Sequence, residues 1–353
     1  RGPIINPISF AQNGEQIIKA NLDVEGHGGG HGFAVSYGIL DELDAFFEVP
    51  FTFMTLELTP RLDPVYTDEE GNDHTVRPTT VYPSLLGIED TVGYNAQDFL
   101  YDTWPKLGRQ SPANAYKGRW LMGDIGLGLM YNYFRNEHLS SAVRTRVTLP
   151  TGKVQDPNNS ILYATGPAIE TGLGGWAVSG THILDVRLPK FADWFDVILT
   201  TELELSYAFP QRRPYPTNFS KPLPVASEID PDTFVELSEL DGEFTFTPGF
   251  GVGWFGQLGV SIYGVSLGFA YGVQYRQAAW IDGDDGFIRM AKGLGLVGQS
   301  ELQSIQVGAS IPLLPLYIPA SISVSYRKAI AGHNAIVYED YVQVSVTGAL
   351  PLG

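Results

Sequence analysis

The sequence predicts an all-β chain: a transmembrane, antiparallel up-and-down β-barrel of about twelve strands, with long extracellular loops and short periplasmic turns. Three observations predict it. Apolar and polar residues alternate with period two along most of the 353 residues. The polar face of that alternation is mostly Gly, Ser, Thr and Ala with isolated charges, where a water-facing surface is richer in Lys and Glu, and aromatic residues gather near strand ends. The connections are by turns short and long, the layout of a barrel with tight turns on one side of a bilayer and loops on the other.

The alternation can be followed in order. Ile18, Ala20, Leu22 and Val24 oppose Lys19, Asn21, Asp23 and Glu25; Phe33, Val35, Tyr37 and Ile39 oppose Ala34, Ser36 and Gly38. After the break at 41–44, Phe47, Val49, Phe51 and Phe53 oppose Glu48, Pro50, Thr52 and Met54. Leu121, Ile125, Leu127, Leu129 and Tyr131 alternate with Asp124, Gly126 and Gly128, and Val143, Thr145, Val147 and Leu149 with Arg144, Arg146 and Thr148. Trp176–Val186 and Val197–Tyr207 follow, then Phe244–Trp254 and Val265–Tyr275. Ile305–Ile311, Ala320–Tyr326 and Val342–Val346 complete the set. Most reach the 9–11 tilted residues that a bilayer crossing takes.

Short links are expected near 41–44, 134–140, 189–195, 255–261 and 312–318, and long ones near 59–117, 150–170, 210–242 and 277–301, with lesser members at 26–32 and 329–337. An even strand count then places both termini on the short-turn side. Residues 1–353 form one barrel domain, with 1–15 as an N-terminal periplasmic or lumen segment and 59–117 and 210–242 as long extracellular loops. The first of these loops carries a short helical piece around Ala96–Trp104. Residues 1–16 and 59–117 are the candidates for partial plugs of the lumen. The chain opens at Arg1 without a signal-peptide pattern, which reads as a processed mature chain.

Composition excludes several functions. Net charge is −17, with no basic footprint for nucleic acid. Hydrophobic residues at 44 % argue against disorder. No run of about 18 apolar residues offers a spanning helix. Zero cysteines remove disulfide scaffolds, thiol catalysis and thiolate metal sites. The sequence contains no nucleophile elbow, His-Glu-x-x-His or phosphate-binding loop, so the expectation is not an enzyme and no cofactor. A Ser/His pair assembled across strands would not be legible at this level.

The weak metal candidates are His27 and His31 in the run Gly26–Gly32, and Asp282 and Asp284 in Asp282–Gly286. Two histidines lack a third ligand, and the acidic loop lacks the further carboxylates a calcium loop needs, so a Gly-rich hairpin connection and a solvated turn are expected instead. His182 falls on the lipid face near a strand end.

The inward ionisable residues carry more information. Lys19, Asp23, Glu25, Glu48, Asp124, Arg144, Arg146, Asp185, Arg187, Glu202, Glu204, Arg276 and Arg327 should face the lumen as constriction candidates. Pairing across adjacent strands is expected for Arg144 and Arg146 with Asp124, and for Asp185 and Arg187 with Glu202 and Glu204. Such charges serve either as a neutralising ion-pair network or as a constriction that selects what passes, and both readings stand.

Ser36–Phe51, a strand–tight-turn–strand unit, resembles that of FadL-like outer-membrane channels, and more closely that of the transporters of phenol meta-pathway degradation clusters. Gly123–Met130 and Val143–Lys153 resemble two further blocks of that group. The likeness covers about 16–58 and 118–350. It implies a bacterial outer-membrane location and passive uptake of small hydrophobic or aromatic solutes, with Asp124, Arg144 and Arg146 at lumen positions. Partners would then be outer-membrane lipid and lipopolysaccharide together with the solute. Two features depart from the group: about fifteen residues precede the first strand, too few for a full N-terminal plug, and the sequence ends Gly348–Gly353 rather than in an aromatic. The rival reading is a structural barrel that anchors or surrounds an envelope protein partner.

Overall fold

The computed structural model describes residues 8–12, 15–75, 98, 115–116, 120–153, 172, 174–189, 192, 194–215, 223–224, 234–235, 242–288, 298–313, 320–333 and 340–348; side chains before residue 29, and at a few later strand positions, are outside the description. Twelve strands follow one another along a single hydrogen-bonded path, each antiparallel to the next. They are β1 (Ile8–Gln12), β2 (Glu15–Leu40), β3 (Leu43–Asp63), β4 (Ile125–Arg135), β5 (Leu139–Leu149) and β6 (Ala177–Arg187). The others are β7 (Phe195–Ala208), β8 (Gly251–Ile262), β9 (Val265–Arg276), β10 (Ser300–Pro312), β11 (Ala320–His333) and β12 (Asp340–Gly348). Short pieces at Ala115–Tyr116 and Leu121–Met122 add to the outer part of β3. Among the described residues no helix is long and apolar enough to cross a membrane.

Several boundaries differ from the sequence expectation, among them the link expected from 329, where β11 runs on to His333. Gly26–Gly32 is not a hairpin connection but the middle of β2, paired residue by residue with Pro50–Leu56 of β3. Glycine interrupts a side-chain pattern without interrupting the backbone ladder, so the period-two signal broke where the strand did not. Two expected strands therefore merge, and β1, within the stretch read as an N-terminal segment, brings the path back to twelve. Likewise 255–261 is not a turn. It belongs to β8, whose turn to β9 falls at Tyr263 and Gly264, both at positive φ. Glu243–Thr247, expected in that wall strand, instead pairs with Gln211–Pro214 and Trp280–Asp282 in a separate three-stranded sheet. The long connection after β3 starts at 64 rather than 59, and the Ala96–Trp104 helical piece lies outside the described residues except for Asp98.

That small sheet sits among the long connections and has a tight core: Phe244 is 2 % exposed and Phe287 1 %, with the Tyr215 ring packed on both. The wall is built the other way round. Its apolar face is the exposed one, from Phe33, Val35 and Tyr37 through Leu127, Leu129, Val143, Leu203 and Leu267 to Val346 at 70 %, while Thr181 and Ser304 on the opposite face are buried.

The strands are also staggered. Paired residues from Leu43, the first of β3, run through Tyr131, Val143, His182, Leu203, Trp254, Val273 and Gln303 to Ala331 near the far end of β11. A row that starts at one end of the sheet and finishes at the other is the register drift of strongly tilted strands.

Candidate functional site

The face of the sheet opposite its exposed apolar side, called inward below, collects the polar side chains, and the register decides which of them meet. On β3 to β7 the face is charged and bulky. Arg146 on β5 reaches over β4 to Glu48 on β3, N–O 3.3 Å. It can do so because the β4 residue between them is Gly126, where a Cβ would lie 2.5 Å from the Arg146 Nε. Gly128 plays the same part for Phe46, whose ring covers it. Arg144 reaches over β6 to Glu202 on β7, 3.6 Å away, above the buried Thr181. Arg187 pairs with Asp196 at 3.3 Å, and Asp185 accepts the Thr200 hydroxyl at 2.7 Å.

These partners differ from the expected ones. Arg144 and Arg146 meet glutamates two strands away, because their direct register neighbours are Met130 and Thr181, and Gly128 and Ser179, none of them ionisable. Asp124 is 8 % exposed and accepts the Gly152 N–H at 2.8 Å, which fastens the 123–152 turn. Arg187 takes Asp196, a residue the sequence reading passed over, instead of Glu202 or Glu204. Its signal was a carboxylate two residues before Ile198, the direct register partner of Arg187, visible only once the register is known. Arg327 donates from Nε to Ser304 at 3.0 Å. Glu204 sits opposite Thr181 and Gly253, and Arg276 is exposed at the end of β9. Lys19, Asp23 and Glu25 hold register positions opposite Asp63, Thr59 and Glu57, but their side chains lie outside the described residues.

On β8 to β12 the same face is mostly uncharged, with Arg276 and Arg327 its exceptions. One lateral row reads Ser261, Ser266, Ser310, Ser323, Ser345. The next reads Gly259, Gly268, Gly308, Ser325, Gln343, and the third carries Gln257, Ala270 and Gln306 before Arg327. The glycine row is the floor of a recess of about 290 Å³, with serine hydroxyls on one rim and glutamine amides on the other. Phe255 also points inward, 3.3 Å from where a Gly272 Cβ would stand, so Trp254 and Phe255 lie within a strand rather than at its end.

The metal candidates resolve into other contacts. His31 stacks on Trp120 at 4.5 Å, and the His27 side chain lies outside the described residues. Asp284 accepts the Phe287 N–H at 2.9 Å as the cap of a helical turn, and Asp282 pairs with Thr245 in the small sheet. Among the described residues no group of three or more His, Asp or Glu could hold a metal ion. In the hairpin 66–74 beyond β3, Asp68 accepts from His74 and Asn72, and the His74 hydrogen bond chiefly holds its carboxyl down at about 2.

No protein-family model matches this sequence, and no curated protein matches it. Among solved structures, an outer membrane channel from Pseudomonas putida F1 is similar over 97 % of this chain and 88 % of that one, with a TM-score of 0.48 and 12 % identity.

Proposed function

We propose that the sheet closes into an outer-membrane β-barrel and works as a passive channel for small solutes. The single observation that carries this reading is the inversion of the wall: apolar side chains exposed on one face, polar and charged ones gathered on the other. An apolar surface of that extent in water would cost about 25 cal/mol per Å², so a lipid environment is its natural complement. Three further features support closure. The register drift is what tilt in a barrel wall requires. Parity agrees as well: β2 and β12 run in the same direction, so eleven long strands alone would meet in parallel, and β1 supplies the antiparallel twelfth. Aromatic residues band both ends, with Trp194 stacked on Tyr263 at 5.2 Å on the short-turn side and Trp176, Phe209 and Trp280 exposed on the other.

The lining favours solutes that carry polar groups. Phe46 and Phe255 offer rings amid hydroxyls, amides and ion pairs, so small aromatic compounds with hydroxyl or carboxyl substituents fit better than plain hydrocarbons. The rival reading, a barrel surrounding a partner protein, would leave lumen charges for the partner to meet. Here Arg144, Arg146 and Arg187 are already neutralised within the wall.

Planar-bilayer conductance of the purified protein tests the proposal. Steady ohmic steps, partly blocked by millimolar hydroxybenzoate, are the expected result. Insertion without conductance and without solute flux would overturn the channel reading in favour of a structural barrel.

A further inference from the structure

The outward face carries a polar cluster at the short-turn end of its apolar surface. Tyr133 on β4, Ser141 on β5 and His182 on β6 form a triangle: Tyr133 Oη to Ser141 Oγ 2.6 Å, Tyr133 Oη to His182 Nε2 2.8 Å, Ser141 Oγ to His182 Nε2 3.0 Å. Its own protons cannot satisfy all three sides, because a ring nitrogen either donates or accepts, never both. With Nε2 protonated, His182 donates to Tyr133 and Tyr133 to Ser141, and the Ser141 hydroxyl is left with only the Ile183 carbonyl at 3.5 Å. With Nε2 bare, one side of the triangle has no proton. The other ring nitrogen, Nδ1, has no partner among the described residues. Polar groups on a lipid-facing wall call for a partner from outside the chain.

Beside the cluster, on the side away from the short turns, lies a recess of about 770 Å³ lined chiefly by outward residues. Ala45, Thr145 and Gly180 are its small floor residues, and Leu129, Leu205 and Tyr207 its apolar sides. Gly180 stands two residues from His182 on the same face of β6, and nothing lies within 4 Å of where its Cβ would be. Polar groups therefore lie toward the short-turn end and an apolar hollow toward the middle of the wall. That is the order of a diacyl lipid in the leaflet at the short-turn side: phosphate and ester oxygens outward, chains inward.

Resting on the barrel reading above, we infer that Tyr133, Ser141 and His182 together with the adjoining recess bind one glycerophospholipid, the cluster donating to its phosphate or ester oxygens and the recess holding an acyl chain. The Ser141–His182 distance also suits a nucleophile and its base. However, the backbone around Ser141 is engaged in ladders to β4 and β6 and turns no pair of N–H groups toward the hydroxyl, so the geometry points to binding rather than acyl transfer.

Native mass spectrometry of the detergent-purified full chain, incubated with palmitoyl-oleoyl phosphatidylethanolamine or with inorganic phosphate, tests this. The unaltered protein should retain one lipid and no phosphate. His182→Phe, which removes the donors, and Gly180→Leu, which fills the hollow, should each weaken lipid retention about tenfold, the scale of one lost hydrogen bond or one blocked apolar contact. Both variants should insert and conduct as the unaltered protein does, since neither residue faces the lumen. Equal retention by all three proteins, retention of phosphate alone, or no retained lipid would overturn the site while conductance upholds the barrel. Failure of the unaltered protein to insert would overturn both.

Discussion

The two halves of the inward face use the same residue, glycine, for opposite ends. In β3 to β7, Gly126 and Gly128 are sockets: the Arg146 guanidinium and the Phe46 ring fill the space their side chains would take. In β8 to β12, Gly259, Gly268 and Gly308 lie side by side as the floor of a hollow. Gly259 is the open position, with nothing nearer to its Cβ position than the Ile198 carbonyl oxygen at 3.7 Å, while Gly268 and Gly308 sit closer to Gln257 and Ser325. One half spends its glycines on packing charged side chains flat against the wall, the other on leaving room. In a closed barrel this makes the lumen lopsided, with fixed ion pairs along one side and mostly neutral hydroxyls and amides along the other.

The sharpest way to break the comparison is to add a methyl group to each kind of glycine. At Gly128 a Cβ would lie 2.1 Å from the Thr145 carbonyl oxygen, which is backbone and cannot move aside. Gly128→Ala should therefore destabilise the folded protein by about 1–3 kcal/mol, the range of core overpacking, as read from urea unfolding in micelles. Gly259→Ala should unfold with the unaltered protein. Equal losses at both positions would show that the sockets and the floor are not different after all.

Ion selectivity gives the next largest effect. Glu48→Gln and Glu202→Gln each leave an arginine uncompensated and should shift the cation-to-anion permeability ratio toward anions by about threefold. Arg144→Gln and Arg146→Gln should shift it toward cations by a similar factor. Ser310→Ala on the neutral side should leave the ratio where it was, and reversal potentials in a salt gradient measure all five. Stability should change little, because these half-exposed pairs are each worth about 0–1 kcal/mol.

A smaller effect is expected from bulk on the neutral floor. Gly259→Phe should lower single-channel conductance by roughly half with no change in selectivity, since it narrows the bore without adding charge. The smallest concerns the loop beyond β3. Asp68, held at about 2 against an ordinary 3.8, contributes to its hairpin at pH values above 3.8, and that contribution is lost as pH falls through about 2. The His74 ring proton shifts, followed by NMR, should show the hairpin intact at pH 5 and its Asp68 contact gone below pH 2, while the wall's ladder is unchanged.

Much of the fold was legible in the alternation, because in β4 to β7 most outward residues are apolar and most inward ones polar or small. It failed where glycine replaced side chains: in β2, where Gly26–Gly32 erased the pattern inside a continuous strand, and in β8, where Gly251, Gly253, Gly256 and Gly259 pushed the apparent strand seven residues too early. The inward charges of β3 to β7 were legible as candidates from parity alone. Their partners were not, since Arg146–Glu48 and Arg144–Glu202 each span an intervening strand and depend on what that strand carries. The serine, glycine and glutamine rows were not legible either, because their members are 5 to 44 residues apart and become neighbours only through register.

By itself, then, the sequence determined which face of each strand is apolar, through a period that side-chain chemistry imposes on any extended chain. It also determined that no cysteine or basic surface contributes. Only the tertiary structure decided how far each strand slides against the next. That slide sets which side chains meet, and it is a property of backbone pairing across the whole sheet, to which no single segment's residues point.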